Sequence, residues 1–112
     1  MALTTEIIGE VCVCRISGRL DAEAADAFRK ELHMVGEEVA GPVVFSFQEV
    51  GFIGSACLGA LIGCRTKLGK DRPVALCDLS VPIHKMFKFA ALDQLFLAAP
   101  TVADAISLVK RG

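Results

Sequence analysis

Several residue types and patterns are scarce in this chain of 112 residues, and each absence removes a class of function. There is no Trp and no Tyr, so the bases of a nucleic acid would have to stack on Phe alone. The formal net charge of −1 supplies no basic field either, and nucleic-acid binding is not expected. No apolar run approaches the ~20 residues of a membrane-spanning helix, and no basic segment followed by a long apolar one opens the chain. We therefore expect a cytoplasmic protein without direct membrane insertion.

Cysteine is present in a pattern that argues against both disulfides and metal binding. The five Cys are odd in number, no Cys-x-x-Cys pair occurs, and no ordered Cys/His spacing suggests zinc. This indicates a reducing compartment, in which free cysteines mostly pack in the core. Cys57 is the exception to test, because a thiol in the first turn of a helix can have a lowered pKa. A catalytic thiol also needs a base, and His33 and His84 are the only histidines. The expectation is a protein that is not an enzyme, with no cofactor.

The order of apolar and polar residues predicts alternating strands and helices in one domain spanning residues 1–112. Strands are expected over 3–8, 11–17, 43–47, 73–77 and 95–97, and helices over 22–35, 55–70, 82–91 and 100–109. Strands joined through helices run parallel, whereas the short turn at Gly9-Glu10 makes the first pair antiparallel. Hydrophobic residues make up 54% of the chain, which favours a sheet covered on both faces. The predicted fold is α/β, a mostly parallel, mixed sheet of four to five strands with about four helices packed on it.

The turn between the strand over 43–47 and the next helix carries the main functional signal. A buried strand passes through small residues into a helix that starts near Ser55, where unpaired backbone N–H groups and the helix dipole favour negative charge. A serine there either caps the helix or serves as a phosphorylation site, and the residues alone leave both interpretations open. Asp21 is expected to cap the preceding helix. Because partners of such sheets meet the loops at the carboxyl ends of the strands, Asp21 and Ser55 are expected at the same edge.

Three motifs, in the right order and spacing, resemble the STAS domain family, which includes the bacterial anti-sigma factor antagonists. They are Gly18-Arg19-Leu20-Asp21, Phe52-Ile53-Gly54-Ser55-Ala56-Cys57-Leu58-Gly59 and Leu92-Asp93-Gln94-Leu95-Phe96. The resemblance extends from about Val11 to Val109 and implies a STAS-like fold.

The resemblance also implies the residues of a functional site. In the family the central turn typically reads Asp-Ser-Ser-Gly-Leu-Gly, and its first Ser is phosphorylated by a partner anti-sigma kinase. Ser55 falls on that phosphoacceptor and Asp21 on the acidic residue of the earlier loop. Gly54 stands where the family usually has Asp, Ala56 where it often has Ser or Thr, and Cys57 where it often has Gly. The implied site is therefore a phosphorylated Ser55 within a partner-binding surface made by Asp21, Gly54, Ser55, Ala56 and Cys57.

The function implied by the resemblance is that of a regulatory protein-binding module. Such a protein would act as an anti-sigma factor antagonist, binding a kinase-type anti-sigma factor and losing that partner on serine phosphorylation. The alternative is a STAS module without a phospho-switch, acting as a docking subunit of an ABC-type lipid-transport ATPase or as a signalling scaffold. A third hypothesis is a Cys57-dependent enzyme. No metal is expected, and a homodimer stays open.

Overall fold

A computed structural model describes residues 1–111, and the chain forms one mixed sheet flanked by helices within that range. The strands are β1 (Ala2–Ile8), β2 (Val11–Leu20), β3 (Val43–Ile53), β4 (Val74–Cys77) and β5 (Leu97–Ala99). The helices are α1 (Ala25–Glu38), α2 (Ser55–Leu68), α3 (Val81–Phe89) and α4 (Val102–Arg111), with 3-10 turns at Ala22–Ala24 and Leu92–Gln94. The sheet order is β1-β2-β3-β4-β5, with β1 antiparallel to β2 and the other neighbours parallel. The predicted α/β fold is confirmed.

Helices cover the sheet on both faces, as the high apolar content predicts. The larger core lies under α1, α2 and α3, where Phe28, Leu61 and Phe87 pack against inward residues of the strands such as Phe45. The smaller core lies under α4, whose Ala105 and Val109 contact the opposite face of the central strands. The central strands are therefore buried on both sides, which explains their nearly continuous apolar sequence.

The two strands that lead to the functional turn are longer than the sequence predicts. The strands expected to end at residues 17 and 47 continue to Leu20 and Ile53, which are paired with each other. Polar residues and glycines interrupt the apolar pattern in both segments, but two register shifts in the β2–β3 ladder let the backbone pairing continue. Gly18 lies at one of these shifts with φ of +99°, a conformation that side chains other than glycine rarely adopt. The segment over 17–21 is thus mostly strand rather than loop.

Two helices also differ from the prediction. The first begins with the 3-10 turn and continues past Gly36 to Glu38, because a glycine inside a helix weakens it without necessarily ending it. In α2 the apolar spacing of the sequence predicts that Leu58, Leu61, Ile62 and Leu68 face the core. Leu61 and Leu68 are buried, but Cys57 and Cys64 complete the buried face while Leu58 and Ile62 are only half-buried. The cysteines therefore pack as small apolar residues on that side.

The last strand lies two residues later than predicted. The range 95–97 was chosen for its apolar residues, but Leu95 and Phe96 follow the 3-10 turn, and both backbone N–H groups donate to the carbonyl of Leu92. The apolar side chain of Phe96 is buried in the core, although the residue itself lies outside the strand. The strand itself is Leu97–Ala99, paired with β4.

Candidate functional site

The ends of β2 and β3 bring the two sequence motifs together. Leu20 is paired with Ile53, and the backbone N–H of Gly54 donates to the carbonyl of Leu20 at 2.8 Å. Asp21 lies one residue beyond the end of β2, and Ser55 lies two residues beyond the end of the neighbouring strand β3. The prediction that both sit at the same edge of the sheet is confirmed.

Ser55 is the first residue of α2, and it is not the cap. Gly54 occupies the N-cap position with extended backbone (φ −96°, ψ 173°), and its carbonyl accepts from the N–H of Leu58 at 3.0 Å. The N-cap residue has no side chain to cap the first turn, and Ser55 is exposed. The interpretation of Ser55 as a plain N-cap is therefore wrong. Its hydroxyl stands on the surface, beside backbone N–H groups of the kind that favour an anion.

Asp21 has the capping role that the sequence predicts. Its Oδ1 accepts from the backbone N–H of Ala24 at 3.1 Å and fixes the start of the 3-10 turn that leads into α1. The other carboxylate oxygen, Oδ2, lies 3.6 Å from Nε of Arg19, and the Asp21 side chain keeps 36% of its surface exposed. This carboxylate is thus oriented by two partners and still faces solvent next to the start of α2.

Arg19 and Phe52 form a stacked pair beside this carboxylate, and sequence reasoning missed both. The guanidinium carbon of Arg19 lies 4.0 Å from the centre of the Phe52 ring, a cation–π contact. Phe52 remains 38% exposed, which is unusual for a large aromatic side chain in a strand. A signal was available, because Phe52 follows a polar stretch of the strand and a glycine instead of sitting inside an apolar run. Arginine and aromatic residues are enriched where proteins bind each other.

Cys57 lies beneath this surface and does not contribute to it. It is fully buried, and its thiol donates to the backbone carbonyl of Asp21 at 3.5 Å. Burial raises the pKa of the Cys57 thiol, with the nearby charge of Asp21 acting in the same direction. The expectation of a lowered pKa at the helix start is therefore wrong. A neutral, buried thiol cannot touch a docked partner, and Cys57 instead ties α2 to the end of β2.

The remaining cysteines are packing residues as well. All five are free and buried, and the sulfur atoms of Cys12 and Cys14 are 3.7 Å apart on one face of β2. Burial raises the pKa of all five thiols, which disfavours the thiolate form that a nucleophilic cysteine needs. Between residues 1 and 111 there is no group of three or more His, Cys, Asp and Glu side chains that could hold a metal ion. Over the same residues, no helix is long and apolar enough to cross a membrane.

Comparison with known proteins fits this geometry. The sequence profile of the STAS domain matches residues 2–105. The chain belongs to the STAS domain family. This STAS chain is 29% identical over 88 residues to an anti-sigma F factor antagonist from Paenibacillus polymyxa, covering 76% of this chain and 74% of that protein.

Solved structures of STAS proteins show the same fold. An anti-sigma factor antagonist from Mycobacterium paratuberculosis is 25% identical, with a TM-score of 0.87 over 97% of this chain and 93% of that one. The Bacillus cell fate determinant SpoIIAA, solved in its phosphorylated form, is also 25% identical, with a TM-score of 0.71 over 96% of this chain and 99% of that one. This STAS domain is thus homologous to bacterial anti-sigma factor antagonists, a family of regulators that are generally not catalysts.

Proposed function

We propose that this STAS domain is an anti-sigma factor antagonist of the cytoplasm, regulated by phosphorylation of Ser55. Unphosphorylated, it binds an anti-sigma factor that is also a serine kinase, and thereby releases a sigma factor. The observation that carries the proposal is the exposed hydroxyl of Ser55 on the first residue of α2, at the same sheet edge as Asp21. The homologous antagonists and the existence of a phosphorylated SpoIIAA structure support it.

The proposed partner surface is smaller than the sequence suggests. Gly54, Ser55 and Ala56 are accessible to a partner, and Asp21 presents part of its carboxylate beside them. Cys57 is left out because it is fully buried. The stacked Arg19 and Phe52 extend the surface, with Arg19 beside the Asp21 carboxylate and the Phe52 ring beside Gly54.

The effect of phosphate follows from the position of Ser55. A phosphate adds roughly −1.5 to −2 charge at pH 7. At the N-terminus of a 14-residue helix that charge is tolerated by the helix dipole and the unpaired N–H groups, so the fold is expected to survive. A partner packed against Ser55, above all one with acidic groups there, would be excluded by the bulk and charge of the phosphate. Binding is lost without unfolding.

The glycine at position 54 favours the alternative function, a STAS module without a phospho-switch. At this position the chain has no carboxylate beside the acceptor. Such a module would dock on a partner such as the ATPase of an ABC-type lipid-transport system, or act as a scaffold. It would then bind its partner equally well with serine, alanine or aspartate at position 55.

Phosphosite mapping tests the proposal. The purified chain is incubated with ATP and each candidate anti-sigma kinase, and the modified residue is located by mass spectrometry. Phosphate on Ser55, absent in Ser55→Ala and unchanged in Ser107→Ala, is the expected result. Ser107 is a matched control, because it is also an exposed serine on a helix. Phosphate on other residues only would contradict the assignment.

A further inference from the structure

An open groove of about 410 Å³ lies between α1 and α2, and it overlaps the surface proposed for the partner at Ser55 and Ala56. Its floor is apolar, with Leu32 from α1 and Leu68 from α2. Its volume falls in the range of small-molecule sites, ~300–1,000 Å³.

Glycines keep this groove open. Gly36, Gly59 and Gly63 all line it and all lie inside helices, where glycine is about 1 kcal/mol less favourable than alanine. A Cβ atom at Gly59 or Gly63 would meet no atom within 4 Å, and one at Gly36 would make only ordinary contact with Leu68. Close packing therefore does not require glycine at these positions. Side chains there would project into the groove and fill it.

The charged side chains that line the groove are two cations, Arg29 and Lys67, and one carboxylate, Glu37. A Cβ atom at Gly36 would lie 3.6 Å from Leu68, so the C-terminal ends of the two helices meet at one end of the groove, where Lys67 lies. Arg29 and Ser55 belong to the opposite, N-terminal part of the two helices. Glu37 is the one carboxylate among the lining residues, and it lies 3.7 Å from a ring nitrogen of His33.

Arg29 retains donors for a ligand. One of its terminal nitrogens, Nη1, donates to Asp26 at 2.8 Å, and the Asp26 side chain is 89% exposed, so this pair is solvent-facing. The guanidinium group carries five N–H donors in total. Together with the first turn of α2, which no side chain caps, it makes one end of an apolar groove suited to an anionic group.

We propose that the groove binds a small amphipathic anion, with a carboxylate head at Arg29 and Ser55 and an alkyl chain along the glycine-lined floor. From Ser55 to Lys67 the groove follows α2 for about 18 Å, enough for a medium-length chain. The head would occupy the space that a phosphate on Ser55 needs. This exclusion rests on the phosphorylation of Ser55 proposed above, since ligand head and phosphate would then compete for the same space.

Decanoate, kept below its micelle concentration, is the probe for this site. In a titration of the ¹⁵N-labelled chain followed by NMR, decanoate is expected to shift the amides of residues 29–37 and 55–68. Decyltrimethylammonium has the same tail and a cationic head, and it is expected to bind about tenfold more weakly than decanoate. The Arg29→Gln variant is expected to bind decanoate about tenfold more weakly than the parent chain does. Ser55→Asp should also weaken decanoate binding, since its carboxylate occupies the head position.

Blocking the groove tests whether the alkyl chain of decanoate lies along its floor. Gly63→Leu is expected to abolish decanoate binding, whereas Ala103→Leu, which adds the same side chain at an exposed position of α4, should leave it unchanged. Equal binding of the two surfactants, binding that survives Gly63→Leu in a folded variant, or shifts confined to other helices would each overturn the proposal. No kinase or partner is present in the titration, so its result is independent of the proposed function.

Discussion

Replacing Gly54 by aspartate restores the residue that the STAS family usually has before the phosphoacceptor, and its effect on stability can be worked out from the structure. Gly54 has extended backbone that any residue adopts, so no strain is expected. A Cβ atom there would lie 3.6 Å from the carbonyl oxygen of Leu20 and 3.6 Å from the Phe52 ring, which are ordinary contacts. The substitution therefore fits without rearrangement.

Three effects of Gly54→Asp act in the same direction. Replacing glycine reduces the freedom of the unfolded chain, which stabilises the fold by about 0.4–1 kcal/mol. Aspartate at the N-cap accepts from a first-turn N–H, a gain of a few tenths of a kcal/mol over glycine. Its charge at the helix N-terminus adds roughly 0.3–1 kcal/mol at low salt. Repulsion from Asp21 opposes these terms, but that carboxylate is already paired with Arg19. We expect a net gain of about 1 kcal/mol and a rise in Tm of roughly 4 °C.

Gly54→Ala is the matched control. Alanine reduces the freedom of the unfolded chain in the same way but is a poor N-cap, so aspartate should exceed alanine by about 1 kcal/mol. Urea unfolding followed by circular dichroism measures both variants beside the parent chain. If Gly54→Asp is no more stable than Gly54→Ala, the side chain does not cap α2 and the described start of that helix is wrong.

Three further predictions concern groups that stabilise the fold. Ser46 is the one polar residue in the described core, and its hydroxyl donates to Asp78 at 2.8 Å. Ser46→Ala should therefore lower the free energy of unfolding by about 1–3 kcal/mol. Arg65→Ala should cost a similar amount, since the guanidinium donates to three backbone carbonyls, including that of Leu95. Burial, reinforced by the charge of Asp78, raises the pKa of the Cys77 thiol to about 12. Between pH 9 and 12 the unfolded chain therefore loses this proton while the folded chain keeps it, and stability should fall as pH rises.

Controls separate these effects from general damage. Ser46→Thr retains a hydroxyl, and a loss as large as that of Ser46→Ala would show that the bond to Asp78 is not what stabilises the fold. Arg65→Lys keeps the charge but cannot reach three carbonyls, so full recovery by lysine would contradict the role given to the hydrogen bonds. For Cys77, urea unfolding at pH 8 and pH 10 is compared with Cys77→Ala. If the free energy of unfolding falls equally in both proteins, the Cys77 thiol is not the cause of the pH dependence.

The order of elements could be predicted because apolar periodicity distinguishes strands from helices in long segments. Asp21 was placed correctly as a cap because an acidic residue ahead of a helical pattern has few other roles. The pairing of the β2 and β3 ends follows from the connectivity of a parallel sheet. The short strand after Leu92 could not be placed, because apolar side chains in the core and apolar side chains in a strand look alike in three-residue segments.

The site was predicted in its location but not in its detail. A shift of one residue turns Ser55 from the cap into the first residue of α2, and sequence patterns do not fix helix starts that finely. The burial of Cys57 depends on which side of the helix faces the sheet, which the leucines alone did not determine. Arg19 and Phe52 meet only because a register shift aligns their strands. The sequence around Phe52 carries a sign of its exposure, but its contact with Arg19 arises from pairing between distant segments and cannot be predicted locally.

Phosphate on Ser55 is proposed to end partner binding while the fold is retained, and two variants at this position put that to the test. The dissociation constant for the anti-sigma kinase identified by phosphosite mapping is measured for Ser55→Ala and Ser55→Asp, with circular dichroism confirming that both are folded. Ser55→Ala is expected to bind like the unphosphorylated chain, and Ser55→Asp is expected to bind at least about tenfold more weakly, a cost of roughly 1.4 kcal/mol. Equal affinity of the two folded variants would contradict the proposal.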